Sequence, residues 1–299
     1  MHVHRTISKL SAFVVVALAL LVATAATRAD EKHNITGIIL KIDREHHSVL
    51  VSCKSVPGYM DAMIMLIPVR DAATLNALQP GEPIEFTFVD NGRSGYADNV
   101  QSHRFQNLEL DPSQTRRMKI LESVATGDSQ SSKPIAIGQS VPDFTLTDQK
   151  GQSISLSQFS GKVVALTFVY TRCPFPNYCF RLTNNFGQLQ KRFADRMGND
   201  LVLLTIVIDP ANDRPAALEN YGETWKADSK GWHFLTGPIS QIQAVCRGFD
   251  MNFYPDEALL VHSFHTVLID RQTQLAANLE GNDFTSKQLG DLVETILKR

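Results

Sequence analysis

Two kinds of apolar pattern follow one another along the chain. Between residues 34 and 105 the runs are short and punctuated by turns. Positions 35–42 place Ile35, Gly37 and Ile39 on one side and Ile38, Leu40 and Ile42 on the other; polar Arg44-Glu45-His46-His47 follows, and 48–53 returns. A period of two is that of a strand, and two such runs about a polar turn predict a hairpin. Residues 63–69 and 84–89 repeat the signal, the latter entered through Pro80-Gly81-Glu82-Pro83. About five short strands in about 70 residues predict a small all-β, OB-like barrel.

From residue 137 onward the period changes. The runs 163–170 and 201–208 are continuously apolar, whereas 181–192 carries Leu182, Phe186 and Leu189, with Phe193 following, at helical spacing. Further helices are predicted over 216–225, 239–249 and 286–297, with a strand at 265–269. Continuously apolar strands need cover on both faces, so this half is an α/β domain. Residues 108–136, with Asp111-Pro112-Ser113 and a polar 127–134 stretch, read as a linker holding a short helix over 113–124. The expected plan is therefore residues 1–29 as a leader, 33–107 as the barrel, 108–136 as the linker and 137–299 as the α/β domain.

Composition narrows the classes. A chain of 299 residues suits two domains, and a formal net charge of −2 with interspersed signs leaves no basic stripe, which excludes a nucleic-acid partner. Arg5 and Lys9 precede an apolar stretch over 10–26 and small residues such as Ala29, the pattern of a secretory signal or, if uncleaved, a membrane anchor. Either places the remainder outside the cytoplasm, periplasmic or exported, where thiols can oxidise. Four cysteines are too few for a disulfide scaffold, so each needs its own explanation.

Cys173 and Cys179 fall where a buried strand hands over to a helix. Amides and the dipole at a helix N-terminus favour thiolates, which serve either as redox nucleophiles or as soft-metal ligands. Residues six apart do not share a helix face, so Pro174 and Pro176 are expected to hold Cys173 off the helix and fold it back over Cys179. Asp209 and Asp213, in the loop after the second apolar strand, are candidates to orient the cysteine loop or a partner. Cys246, on an apolar helix face, reads as a buried inert thiol or a disulfide partner for Cys53, and His46-His47 as a solvated turn.

Five segments occur in a telling order: Pro142-Asp143-Phe144-Thr145-Leu146, Val169-Tyr170-Thr171-Arg172-Cys173-Pro174, Ile208-Asp209-Pro210-Ala211-Asn212-Asp213-Arg214-Pro215, Trp232-His233-Phe234-Leu235-Thr236-Gly237, and Val261-His262-Ser263 ahead of Leu268-Ile269-Asp270. Together they resemble the Sco/SenC family, thioredoxin-fold copper proteins of cytochrome c oxidase assembly. The resemblance implies a copper ion held by Cys173, Cys179 and His262, with His265 the rival ligand. It also implies delivery to the copper-site subunit of cytochrome c oxidase or to another periplasmic copper protein. Five residues separate the two cysteines here where the family usually has three. Soft thiolates with an imidazole suit copper in their own right.

The stretch Val56-Pro57-Gly58-Tyr59-Met60-Asp61-Ala62-Met63-Ile64-Met65, followed by Ile84-Glu85-Phe86-Thr87-Phe88, resembles the CusF-type copper-binding barrel. That resemblance implies a Cu(I) site at Met63 and Met65, with Cys53 standing where the family has its histidine and Met60 where it has its tryptophan. A plain methionine-filled core is the competing account. Two other functions remain open. One is a thiol-disulfide oxidoreductase of the thioredoxin or peroxiredoxin type, with Cys173 and Cys179 as its redox pair and Thr171 as a loose peroxiredoxin match. The other is a docking module whose cysteines form a permanent disulfide.

Overall fold

The computed structural model describes residues 30–92, 94–102, 133–256 and 259–299. The leader and the helix expected over 113–124 lie outside the described residues, and among the described residues no helix is long and apolar enough to cross a membrane.

Strands β1 (Glu31–Asp43), β2 (Ser48–Cys53), β3 (Ile64–Pro68), β4 (Pro83–Asp90) and β5 (Gly95–Ser102) form one antiparallel sheet in the order β3-β2-β1-β4-β5. A bridge between Val69 and Ala97 brings the outer strands together. Ile35, Ile39, Val49, Val51, Ile67, Ile84 and Phe86 fill the interior. Strand β5 had no apolar alternation to announce it, because Asp98, Asn99 and Gln101 occupy it.

The second sheet contains β6 (Thr145–Asp148), β7 (Ser153–Ser155), β8 (Val163–Val169), β9 (Leu201–Val207), β10 (Trp232–Thr236), β13 (His265–Ile269) and β14 (Leu275–Glu280), in the order β14-β13-β8-β9-β10-β6-β7. Only β8-β9 and β9-β10 are parallel. Every residue of β8 and β9 is buried, as strands covered on both faces must be. Helices α1 (Cys179–Arg192), α2 (Pro215–Thr224), α3 (Ile239–Gly248) and α4 (Ser286–Leu297) supply the cover; α1 and α4 pack together over β8. A separate hairpin of β11 (Phe253–Asp256) and β12 (Leu259–His262) stands in a stretch with no strong regularity in sequence.

The two sheets are not independent. Strand β1 buries both faces: Ile35 and Ile39 face the barrel interior, whereas the alternate residues Ile38 and Leu40 join the core of the α/β half. Helix α4 covers that second face of β1 and β2. The Ser52 hydroxyl donates to Asp291 at 2.7 Å, and the Gln288 amide donates to the Ser52 carbonyl at 3.0 Å. Asp291 also accepts from Arg192 at 2.9 Å and Lys287 at 2.8 Å, so one buried carboxylate joins β2, α1 and α4.

Burial by itself would raise the Asp291 pKa, but the bonds from Lys287, Ser52 and Arg192 outweigh it and hold the carboxyl below its ordinary value of 3.8. A carboxylate with a lowered folded pKa contributes stability above the unfolded value and loses it as pH falls through the folded value. The urea midpoint is therefore expected to fall with pH below about 4, and this component of the acid sensitivity should be absent in Asp291→Asn.

Candidate metal centre

The parallel pairing of β8 and β9 brings the loops at their C-terminal ends side by side. From the β9 loop, Asp213, fully buried, accepts from the Thr171 amide at 3.0 Å and, in a short bond, from the Thr171 hydroxyl. Asp209 accepts from Arg172 at 2.7 Å and, through both carboxylate oxygens, from the Asn212 side-chain amide at 3.0 Å. The two aspartates thus grip the two residues ahead of Cys173. On the far side of the loop, Asn282 donates to the Asn177 carbonyl at 2.6 Å. Neither Thr171 nor Asn282 stood out in sequence as a loop support, because each acts through a contact distant along the chain.

Within this frame Cys179 is the first residue of α1 and is buried, while Cys173 is half-buried on the loop folded back towards it. The neighbouring Cys179 thiol is the largest influence favouring the ionised form of Cys173, with smaller help from the backbone of Phe175 and Cys179 and from Tyr170. Together these outweigh burial and lower the Cys173 pKa to about 6. The same contact, with burial, pushes Cys179 up. Cys173 is thus the more acidic of the two thiols, whereas Cys179, the residue at the helix N-terminus itself, is the less acidic.

His262 closes the arrangement from β12. Its Nε2 lies 3.5 Å from Cys179 Sγ, and its Nδ1 lies 2.9 Å from the Ser263 carbonyl. A carbonyl only accepts, so Nδ1 carries the proton and Nε2 presents its lone pair to the cysteine. Burial lowers the His262 pKa to about 4, which keeps the ring neutral near pH 7. Phe264 and Tyr170 meet it edge-on at 4.7 and 6.0 Å. His265, the rival, is buried in the sheet with Nδ1 3.0 Å from Asn278 Oδ1, an orientation set by structure rather than by the cysteines. Two sulfurs and a neutral imidazole are a donor set suited to copper. Among the described residues no three Cys, His, Asp or Glu side chains stand preassembled for an ion. Holding an ion with all three groups would require a shift of the half-buried Cys173 loop.

In the barrel, Val51 pairs with Met65, and the Cys53 amide donates to the Met63 carbonyl at 2.9 Å, which continues the register. Residues directly opposite in an antiparallel pair share a face, so Cys53, Met63 and Met65 lie on one side of β2 and β3. Met63 is 48 % exposed, Met65 and Met60 are half-buried, and Cys53 is buried with its thiol pushed up to about 12 by burial. Binding a soft metal there would have to displace that proton. Sequence reading passed over His33 on β1, whose ring stacks on Tyr59 at 3.5 Å beside Met60 and whose buried Nε2 has no hydrogen-bond partner. No disulfide links any of the four cysteines, so the Cys53–Cys246 pairing and the permanent Cys173–Cys179 disulfide are absent from this structure. His46 folds back on Asp43 at 2.9 Å in its exposed turn.

A mixed α/β sheet with a strand-to-helix cysteine pair defines a thioredoxin-like protein, here joined to a five-stranded β domain. Residues 133–298 match the family model described as SCO1/SenC, and the chain belongs to that family. Residues 32–97 match the model of the copper binding periplasmic protein CusF. The SCO1 protein homolog of Bacillus subtilis is 30% identical over 114 residues, covering 38% of this chain and 56% of that protein. The mitochondrial SCO1 of Saccharomyces cerevisiae is 26% identical over 160 residues, covering 51% and 52%. The chain thus spans about half the length of the curated relatives it matches. Among solved structures, a SCO1/SenC family lipoprotein from Bacillus anthracis aligns with TM-score 0.48 at 22% identity, covering 53% of this chain and 95% of that one. Copper-bound yeast Sco1 aligns with TM-score 0.46 at 24% identity, covering 55% and 90%.

Two outcomes test the site as built. Alkylation of Cys173 by iodoacetamide, followed by peptide mass spectrometry, should be half-maximal near about pH 6, and Cys179→Ala should move that midpoint upward by removing the largest support of the thiolate. Asp213→Ala strands the Thr171 donors; it should cost about 2 kcal/mol in urea denaturation and speed amide exchange at Thr171.

Proposed function

We propose that this protein is an exported copper metallochaperone. In this reading Cys173, Cys179 and His262 bind one copper ion and deliver it for cytochrome c oxidase assembly, to the oxidase copper-site subunit or to another periplasmic copper protein. The observation that carries it is the neutral His262 Nε2 lone pair facing the Cys179 sulfur at 3.5 Å, with Cys173, the more acidic thiol, on the adjoining loop. Membership of the SCO1/SenC family and the match to a periplasmic copper binding model support both the metal and the export. Release proceeds by ligand exchange: an incoming thiolate or thioether replaces one donor at a time, and the exposed loop bearing Cys173 is where exchange begins. Met63 and Met65, with Cys53 and Met60, form a second Cu(I) site in the barrel that acquires or buffers the ion.

The lowered Cys173 pKa also favours a second reading, a thiol-disulfide oxidoreductase in which the Cys173 thiolate attacks a partner disulfide and Cys179 resolves the mixed disulfide. Copper stoichiometry in Cu(I)-buffered, reducing solution separates the two. The parent is expected to bind two ions, with one lost in Cys173→Ala/Cys179→Ala and the other in Met63→Leu/Met65→Leu. Undiminished copper in the cysteine variant would remove the metal from the α/β half and leave the redox reading in first place.

A further inference from the structure

A five-residue spacer leaves Cys173 outside the helix that anchors Cys179, so its place has to come from contacts of the spacer itself. Two backbone bonds shape the spacer: the Cys173 amide donates to the Tyr170 carbonyl at 3.3 Å, and the Tyr178 amide donates to the Phe175 carbonyl at 3.1 Å. Both are local, and neither reaches the segment that carries His262. Aromatic rings do reach it. Phe175 packs on Tyr178 with centroids 5.0 Å apart, Tyr178 on Phe264 at 5.1 Å, and Phe264 on His262 at 4.7 Å. Phe175 is 43% exposed, Tyr178 is half-buried and Phe264 is buried, so the series of rings runs from solvent down to the imidazole. Tyr178 holds the middle of it, touching one ring of the spacer and one ring of the link between β12 and β13. Its carbonyl accepts from the Leu182 amide at 3.1 Å, which fixes its backbone to the first turn of α1.

We propose that Tyr178 is a positioning residue for the copper site: its ring clamps the Cys173 spacer against the segment of Phe264 and His262, and so sets how readily the Cys173 sulfur leaves the ion. The inference rests on the copper reading given above. Cys179 needs no such support, because α1 already gives its position. Tilted rings at these separations attract through their quadrupoles as well as through the area they bury. For the spacer to lift, the rings of Phe175 and Tyr178 must part from each other or from Phe264, and the cysteine moves with them. Ligand exchange begins at Cys173, so the clamp acts on the step that releases the ion. A leucine at position 178 would fill the same gap and lose the attraction on both sides. A phenylalanine would keep it, since the attraction belongs to the ring and not to the hydroxyl.

The test uses the full chain carrying Met63→Leu/Met65→Leu, so that only the cysteine site reports. Tyr178→Phe keeps the ring, Tyr178→Leu removes it, and Phe175→Leu removes only its solvent-side partner. Two quantities are read: the rate at which bound Cu(I) passes to an excess of a Cu(I) chelator, and amide hydrogen exchange at Cys173 and Tyr178 in the metal-free chain. Exchange in β8 and β9 serves as the control for an intact fold. The expected result is release about tenfold faster in Tyr178→Leu, with faster exchange at both amides, and neither change in Tyr178→Phe. Phe175→Leu should move both quantities the same way by a smaller factor. Release and exchange unchanged in Tyr178→Leu would overturn the inference and leave the copper reading intact. So would a Tyr178→Phe chain that behaves like Tyr178→Leu, because the ring would then not be the cause. If Tyr178→Leu loses protection in β8 and β9, Phe175→Leu decides, and unchanged release there would overturn the inference. A background chain that takes up no Cu(I) would overturn the copper reading and the role in release with it, while exchange at Cys173 and Tyr178 would still report whether the ring holds the spacer.

Discussion

The parallel pairing of β8 with β9 is the constraint on which the rest of the molecule depends. Both strands are buried on both faces, so neither can carry a polar side chain that is not internally satisfied; Thr205, for instance, accepts from the Trp232 indole at 2.9 Å. The chemistry is thereby driven to the strand ends. Since the two strands run the same way with Val169 opposite Val207, their loops emerge at one edge, and that edge holds both the cysteine loop and the aspartates that grip it.

The site is assembled from segments of unequal stability. Cys179 is anchored in α1 and His262 in the hairpin, whereas Cys173 sits on a proline-bearing loop held mainly at its base by Asp213 and at its far side by Asn282. Under the proposed copper reading, such a division suits an ion that has to leave again. Two of the groups sit on regular elements, and the third is on a largely exposed loop. The same loop holds the more acidic thiol, so the readier thiolate is also the more accessible one.

Docking of the barrel on α4 adds a second layer of order. Gln288 caps its own helix at Thr285 and also binds the Ser52 carbonyl, one residue from Cys53. Asn282, a few residues ahead in the same segment, braces the Cys173 loop. The turn into α4 therefore lies against both halves at the places where their soft donors are found. Ile38 and Leu40 make the contact apolar, and Asp291 makes it specific in orientation.

Much of this was legible along the chain. The period of two in 35–53 and the unbroken apolar run at 163–170 identify their strands without help, because those patterns follow from which faces must be dry. Helix α1 was readable from Leu182, Phe186 and Leu189, although its first residue proves to be Cys179 itself. The donor types Cys173, Cys179, His262, Met63 and Met65 were visible as residues. Sequence could not show that β1 buries both its faces, since nothing local says what covers Ile38 and Leu40. Nor could it reveal β5 or the β11–β12 hairpin, which owe their conformation to partners rather than to their own composition.

What the sequence determined by itself is the local inventory: two fold classes in order, a cysteine pair at a strand-to-helix junction, and a methionine pair on a strand, all properties of spacing and side-chain chemistry. What only the tertiary structure decided is which of those groups meet and in what protonation state. His262 rather than His265 faces Cys179, Cys173 rather than Cys179 has the lowered pKa, and the Tyr170 ring stands edge-on to His262. Each of these outcomes depends on burial and on contacts between residues tens of positions apart, and such contacts exist only once the chain has closed on itself.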